Sequence, residues 1–187
     1  MEFSGVVLAG GQSRRFGEDK ARYVYKGKAL LGWVLEGLQG AAERFVVANR
    51  PYPEFGLPVY PDPLPGGDTM SGLHSALAHA KREWVAVAGC DQPFLTVGYW
   101  DYLLERARPN LEAVVVSRGE FLEPLGALYH RGLEPLVRER LEQGDFWMQG
   151  LLREANAVCL LADDLEARFG PRLFLNANTP EALEPPA

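Results

Sequence analysis

Short apolar runs alternate along this chain with longer stretches in which apolar residues recur every three or four positions. The short runs predict strands at Phe3 to Leu8, Phe45 to Asn49, Val59-Tyr60, Trp84 to Ala88 and Ala113 to Ser117. Helical spacing predicts helices at Leu30 to Gln39, Ser71 to Ala80, Tyr99 to Ala107 and Leu133 to Leu141. Val85-Ala86-Val87-Ala88 and Ala113-Val114-Val115-Val116 are apolar at every position, as strands covered on both faces are. The rhythm predicts an α/β fold with a mostly parallel sheet between two layers of helices. Near the end, Leu173 to Leu175 reads as one more strand, followed by Asn176 and Asn178 and a helix with Thr179 as cap and Pro180 in its first position. Ligands of such sheets bind outside the carboxyl ends of the strands, so the residues after Leu8, Val47, Tyr60 and Ala88 are the places to look for chemistry.

Composition narrows the choices. With 187 residues, 47% of them hydrophobic, the chain can bury one substantial core and is expected to form a single domain over residues 1–187, frayed at 184–187. A net charge of −6 gives no basic footprint for nucleic acid. No apolar run approaches a membrane span and no charged segment precedes an apolar one, so a cytoplasmic protein is expected. Cys90 and Cys159 lack partners at metal spacing and are expected to be buried, reduced thiols.

The richest stretch is Val6-Val7-Leu8-Ala9-Gly10-Gly11-Gln12-Ser13-Arg14-Arg15-Phe16-Gly17-Glu18-Asp19-Lys20. Glycines directly after a strand let the backbone approach a ligand and turn its N–H groups toward anionic oxygens. Arg14, Arg15 and Lys20 add positive charge from the same loop, so it reads as a triphosphate cradle. Neither the dinucleotide fingerprint G-x-G-x-x-G nor the Walker pattern G-x-x-x-x-G-K-S/T is present. A second cluster, Gly89-Cys90-Asp91-Gln92-Pro93, follows the Trp84 strand, where a carboxylate can hold magnesium together with substrate phosphates. Asp91-Gln92-Pro93 could equally be a simple turn. Between the two lies the Pro- and Gly-rich Pro61 to Gly67, after which Ser71 is expected to cap a helix. His74 has no second histidine or carboxylate one turn away and is expected at the surface or partly buried. Asn49, before Arg50-Pro51, could start a loop or reach a ligand.

The cradle resembles the signature L-A-G-G-x-S-x-R-M-G-x-D-K of the molybdenum cofactor nucleotidyltransferases, with Phe16 in place of the methionine. Cys90-Asp91-Gln92-Pro93 is similar to that family's C-D-x-P, and Asn176-Ala177-Asn178-Thr179-Pro180-Glu181 to its carboxy-terminal motif. Residues 3 to 183 are spanned by matches in the family's order. The resemblance implies a Rossmann-like fold of the nucleotide-diphospho-sugar transferase type. Asp62 stands where the family has an acidic residue that helps hold the nucleotide. Asp68-Thr69-Met70-Ser71 departs from the family's G-P-L-A, and only Gly72 of that segment survives. The family's asparagine contact falls nearest Val47, two positions before Asn49.

A triphosphate in this loop, with Lys20 and a magnesium ion on Asp91 around its α-phosphate, is arranged for attack at the α-phosphorus and loss of pyrophosphate. Lys20, Arg15 and Asp91 are therefore the expected catalytic residues. Leu8, Ala9, Gly10, Lys20, Asp62 and Asp91 are the expected nucleotide contacts, and Asp91 the metal ligand. The resemblance implies GTP as donor and the phosphate of molybdenum-molybdopterin as acceptor, with molybdoenzymes or their chaperones as further partners. The acceptor is expected over the carboxy-terminal half of the chain, with Pro124-Leu125-Gly126 and Phe146-Trp147 as candidate walls, although an aromatic pair at such spacing is more often core. The related cytidylyl enzymes carry L-A-A-G where this chain has Leu8-Ala9-Gly10-Gly11, so Gly10 favours guanine. A nucleotide-binding adaptor without catalysis is the reading from another class.

Overall fold

The computed structural model describes residues 1–10 and 19–184. Its elements run β1 (Phe3–Leu8), β2 (Val24–Tyr25), β3 (Lys28–Ala29), α1 (Leu30–Gly37), β4 (Glu43–Val47), β5 (Val59–Tyr60), α2 (Thr69–His79), β6 (Trp84–Gly89), α3 (Val97–Leu104), β7 (Ala113–Arg118), β8 (Phe121–His130), α4 (Glu134–Glu142), α5 (Met148–Glu154), β9 (Ala157–Leu161) and α6 (Ala162–Phe169). Among the described residues, a seven-stranded sheet has the order β5-β4-β1-β6-β8-β7-β9. The strands are parallel except β8, which runs antiparallel to both β6 and β7. The expected mostly parallel sheet is therefore present, and one antiparallel strand lies inside it.

Alternation along each strand divides the core in two. Phe3 and Val7 of β1, with Trp84, Ala86 and Ala88 of β6, face Leu31, Val34 and Leu35 of α1, Tyr99 and Leu103 of α3, and Leu165 of α6. Val6, Leu8, Val85 and Val87 face Met70, Leu73 and Leu77 of α2, Val137 of α4 and Leu151 of α5. Both faces of the central strands are buried, so nothing along them needs to be polar. A third, small cluster joins Tyr25 and Leu30 to Ala177 and Leu183, and so docks the carboxy-terminal segment beside the β2–β3 hairpin.

The expected helices and all but one of the expected strands exist with ends shifted by a few residues, but six elements were not foreseen: β2, β3, β8, β9, α5 and α6. Pro124 and Gly126 interrupt the pattern of β8, and β9, α5 and α6 are short and largely surface-facing. The strand expected at Leu173 to Leu175 does not form; hydrogen bonds Leu173 N–H to Gly170 O and Leu175 N–H to Arg172 O close turns there instead. Thr179 does act as a cap, its Oγ1 accepting from Ala182 N–H at 3.3 Å, but it starts a 3-10 turn at Pro180–Leu183 rather than an α-helix. Cys90 is partly buried, whereas Cys159 is exposed on the edge strand β9, contrary to the expectation that both thiols are buried. Of the segment expected to fray, residues 185–187 lie outside the described residues. No helix among the described residues is long and apolar enough to cross a membrane.

Candidate functional site

The carboxyl ends of β1, β4 and β6 open onto a cleft of about 640 Å³. Main-chain bonds extend the sheet one residue into it: Ala9 N–H donates to Val47 O (2.9 Å) and Cys90 N–H to Leu8 O (3.1 Å). Leu8, Ala9, Gly10, Lys20, Asp62 and Asp91 all line this cleft, so every expected nucleotide contact meets in one place. Arg15, expected to be catalytic, and Arg14 lie outside the described residues. Gly10 has an ordinary φ, and a Cβ built there meets no atom of the described residues within 4 Å. Among the described residues, neither backbone angle nor packing therefore requires glycine at position 10, which lines the cleft.

Lys20 opens a 3-10 turn, Lys20–Arg22, capped by Asp19, whose carboxylate accepts from Ala21 N–H at 3.1 Å. The buried Tyr52 hydroxyl donates to that carboxylate at 3.0 Å, and Arg22 (3.1 Å) and Arg50 (3.4 Å) pair with it. Burial, then the hydrogen bond to Asp19, pushes the Tyr52 phenol well up, so it stays a donor. Held this way, the turn directs Lys20 Nζ to within 3.2 Å of Asn178 Oδ1 and 3.8 Å of Asp91 Oδ2. Sequence spacing could not show that the carboxy-terminal Asn178 reaches the amino-terminal cradle. Ala177 N–H donates to Asp91 O at 2.7 Å, and this bond brings Asn178 in.

Asp91 occupies a turn directly after β6, locked by Gln92, whose side-chain oxygen accepts from Gly89 N–H at 2.9 Å. A Cβ at Gly89 would stand 2.5 Å from Asp91 Oδ1, so glycine is required for the carboxylate to fold back toward the strand end. Burial raises the Asp91 carboxyl above its ordinary range, and the Lys20 charge opposes the shift without cancelling it. Burial and the Asp91 charge push the neighbouring Cys90 thiol up to about 12, which leaves it unreactive at neutral pH.

No group of three or more His, Cys, Asp or Glu side chains that could hold a metal ion occurs among the described residues. A desolvated carboxylate at Asp91 nevertheless suits a hard cation that keeps its waters and takes most of its remaining ligands from a substrate's phosphates. Among the described residues, the donor set fits a magnesium ion that takes most of its ligands from a bound phosphate and from water.

Across the cleft, Asn49 and Asp62 clasp each other: Asn49 Nδ2 donates to Asp62 Oδ2 and Asp62 N–H to Asn49 Oδ1, both at 3.2 Å. Asp62 Oδ1 is buried without a hydrogen-bond partner among the described residues, an acceptor with capacity to spare. Asn49 lines the cleft as well as starting the loop. Gly72 brings α2 against Leu8, where a Cβ would stand 2.8 Å from the leucine side chain.

Ser71 is not the helix cap. The helix starts at Thr69 after Asp68, which has φ +47°, and the Ser71 hydroxyl ties the preceding loop, accepting from Gly67 N–H (2.9 Å) and donating to Leu64 O (2.6 Å). His74 is buried, and its partner carboxylate, Glu134 at 3.0 Å, comes from α4 rather than from one turn away. Of the candidate acceptor walls, Leu125 lines the cleft, while Phe146 and Trp147 are exposed at 47% and 60% and belong to no core cluster.

Known proteins are similar to this chain in sequence and in fold. Residues 5–158 match the MobA-like NTP transferase domain. The "Probable molybdenum cofactor guanylyltransferase" of Deinococcus radiodurans is 36% identical over 189 residues, covering 98% of this chain and 93% of that protein. The protein of the same name from Pyrococcus furiosus is 33% identical, covering 96% and 93%. The solved structure of molybdopterin-guanine dinucleotide biosynthesis protein A from Archaeoglobus fulgidus superimposes with a TM-score of 0.81 at 26% identity, over 96% of this chain and 94% of that one.

Proposed function

Because the chain belongs to the MobA-like NTP transferase domain family, and so is a nucleotidyltransferase of molybdenum cofactor biosynthesis, we propose that it transfers GMP from GTP to molybdenum-molybdopterin. An oxygen of the acceptor's phosphate attacks the α-phosphorus, the bond to the β-phosphate oxygen breaks, and pyrophosphate leaves. The observation that carries this reading is the placement of Lys20 Nζ 3.8 Å from the Asp91 carboxylate at the open ends of β1 and β6.

The main chain of Leu8, Ala9 and Gly10 meets the nucleotide, and the unpartnered Asp62 Oδ1 accepts from one of its N–H or O–H groups. Lys20 neutralises charge that builds on the α-phosphate, assisted by Arg15 from the same loop. Asp91 holds magnesium, which supplies further neutralisation of the triphosphate when bound. No general base is needed for an acceptor whose second pKa, about 6, leaves it largely dianionic near neutral pH. The amino-terminal half of a single domain thus holds the nucleotide and the carboxy-terminal half the acceptor, in the cytoplasm, without nucleic acid or membrane. Molybdoenzymes or their chaperones are the recipients of the product. The cytidylyl alternative is less favoured, because Gly10 leaves open the space that a side chain would fill.

The test is a thermal-shift panel of GTP, CTP, ATP and UTP with magnesium, followed by product analysis with molybdopterin as acceptor. GTP should raise the melting temperature most, since a ligand that binds only the folded state stabilises in proportion to its occupancy.

A further inference from the structure

Strand β8 breaks its ladder where it passes the cleft. Its pairing with β7 slips between Val114, opposite Leu128, and Val116, opposite Glu123, leaving Pro124 to Gly126 as a bulge. Gly126 has φ +75°, in the left-handed region that a side chain would strain.

Two buried tyrosines hold this bulge from opposite faces of the sheet. Tyr99 of α3 donates its hydroxyl to Gly126 O, and Tyr129 of β8 donates its own to Pro124 O at 2.6 Å. Tyr99 belongs to the core half under α1 and α3, Tyr129 to the half under α2 and α4. Phenylalanine would fill the same volume without burying a polar atom, so packing alone does not call for either hydroxyl. Burial raises both phenols, which keeps them donors at any working pH.

Leu125 stands between the two fastened carbonyls and lines the cleft. A Cβ at Gly89 would stand 3.1 Å from Leu125 Cδ1, so the bulge abuts the strand end from which Asp91 turns. Gln92 is shared between the two: its side chain accepts from Gly89 N–H and lies 3.4 Å from where a Cβ at Gly126 would stand. A bulge beside an active site commonly re-aims one side chain.

We propose that Tyr99 and Tyr129 are positioning residues for the acceptor, fixing the Pro124–Gly126 bulge so that Leu125 forms the wall against which the acceptor phosphate is presented to the nucleotide. This rests on reading the cleft as a guanylyl-transfer site. The nucleotide-contacting residues other than Asp91, namely Leu8, Ala9, Gly10, Lys20 and Asp62, come from β1, from the segment after it and from the loop after β5, and β8 lies beyond β6 from those strands.

The experiment compares Tyr99→Phe, Tyr129→Phe, the double variant and Leu125→Ala with the wild type in the full chain. GTP affinity is measured by titration, and kcat/KM for molybdopterin by formation of guanylylated product. The expected result is a GTP Kd within about twofold of wild type throughout, with kcat/KM for the acceptor lower by about threefold to tenfold in each single variant and more in the double. Leu77→Ala, a core change on α2, controls for lost stability: it should lower the melting temperature without this split. Equal losses in GTP affinity and acceptor efficiency, or wild-type acceptor efficiency in the double variant, would overturn the inference while leaving the function standing. A wild type that makes no guanylylated product from molybdopterin would overturn the functional reading and the inference with it.

Discussion

Lys20 Nζ and Asn178 Oδ1 stand 3.2 Å apart although 158 positions separate them in the chain. The contact exists because Ala177 and Leu183 are buried against Tyr25 and Leu30, and because Ala177 N–H is bonded to the main chain of Asp91. The carboxy-terminal segment therefore completes the cradle that the first strand begins. Asn178 and Asp91 approach Lys20 together, so its charge is aimed before any ligand arrives.

Removing the amide should release that aim without unfolding the protein. A hydrogen bond to a charged group is worth about 1.5–3 kcal/mol, so Asn178→Ala should lower kcat about tenfold or more. The GTP Kd should change less than kcat, and the melting temperature little. Steady-state transfer kinetics beside a GTP titration check this. A purely structural role would show in the melting temperature instead.

Asp91 should trade stability for function. Its carboxyl pKa is raised in the folded protein, chiefly by burial. Folding then favours the protonated form: the stabilising contribution is complete below the unfolded pKa of about 3.9 and is lost as pH rises through the folded value. At pH 7 the ionised carboxylate is a cost that Asp91→Asn removes. The variant should melt higher than wild type at pH 7, and the difference should shrink on acidification. The same variant should lose at least about 100-fold in kcat, as expected for the loss of an electrostatic partner at the reacting phosphate. Melting curves between pH 4 and pH 8, with turnover, decide it.

Most of this fold could be read from the chain because its strands are buried on both faces, and continuous apolar runs such as Val85 to Ala88 mark such strands plainly. What escaped was set by contacts distant in sequence. Strand β8 carries Pro124 and Gly126 because tyrosines from two faces hold a bulge there, and a pattern search sees only breakers. His74 looked unpartnered because Glu134 comes from another helix, and Ser71 looked like a cap because its loop bonds cannot be inferred from spacing. Leu173 to Leu175 is apolar, yet closes turns to bring Asn178 inward. In the cleft, Leu8 to Gly10, Lys20, Asp62 and Asp91 could be picked out beforehand by their motifs or by the family resemblance, and all of them line it; Gly11 to Glu18 lie outside the described residues. The fixing of Lys20 through Asp19 and Tyr52 was not, since nothing near Tyr52 in the chain marks it.

Gly10 offers a separate test of base choice. A Cβ there meets no atom of the described residues and strains no backbone angle, so Gly10→Ala should fold with unchanged or slightly higher stability, by about 0.4–1 kcal/mol. The new methyl group would project into the cleft beside the base. GTP should lose affinity in the variant, and the preference for GTP over CTP should narrow. Paired titrations with both nucleotides, wild type against variant, measure it.

The most direct test of guanylyl transfer is the ratio of kcat/KM for GTP to that for CTP, with magnesium and molybdopterin as acceptor, followed by identification of the dinucleotide formed. A site that hydrogen-bonds the base can discriminate beyond the 1–3 kcal/mol or so of a methylene-sized difference. The expected result is a ratio well above about 100, with the guanine dinucleotide and pyrophosphate as products. A ratio near one, a preference for CTP, or GTP bound with no dinucleotide formed would contradict it.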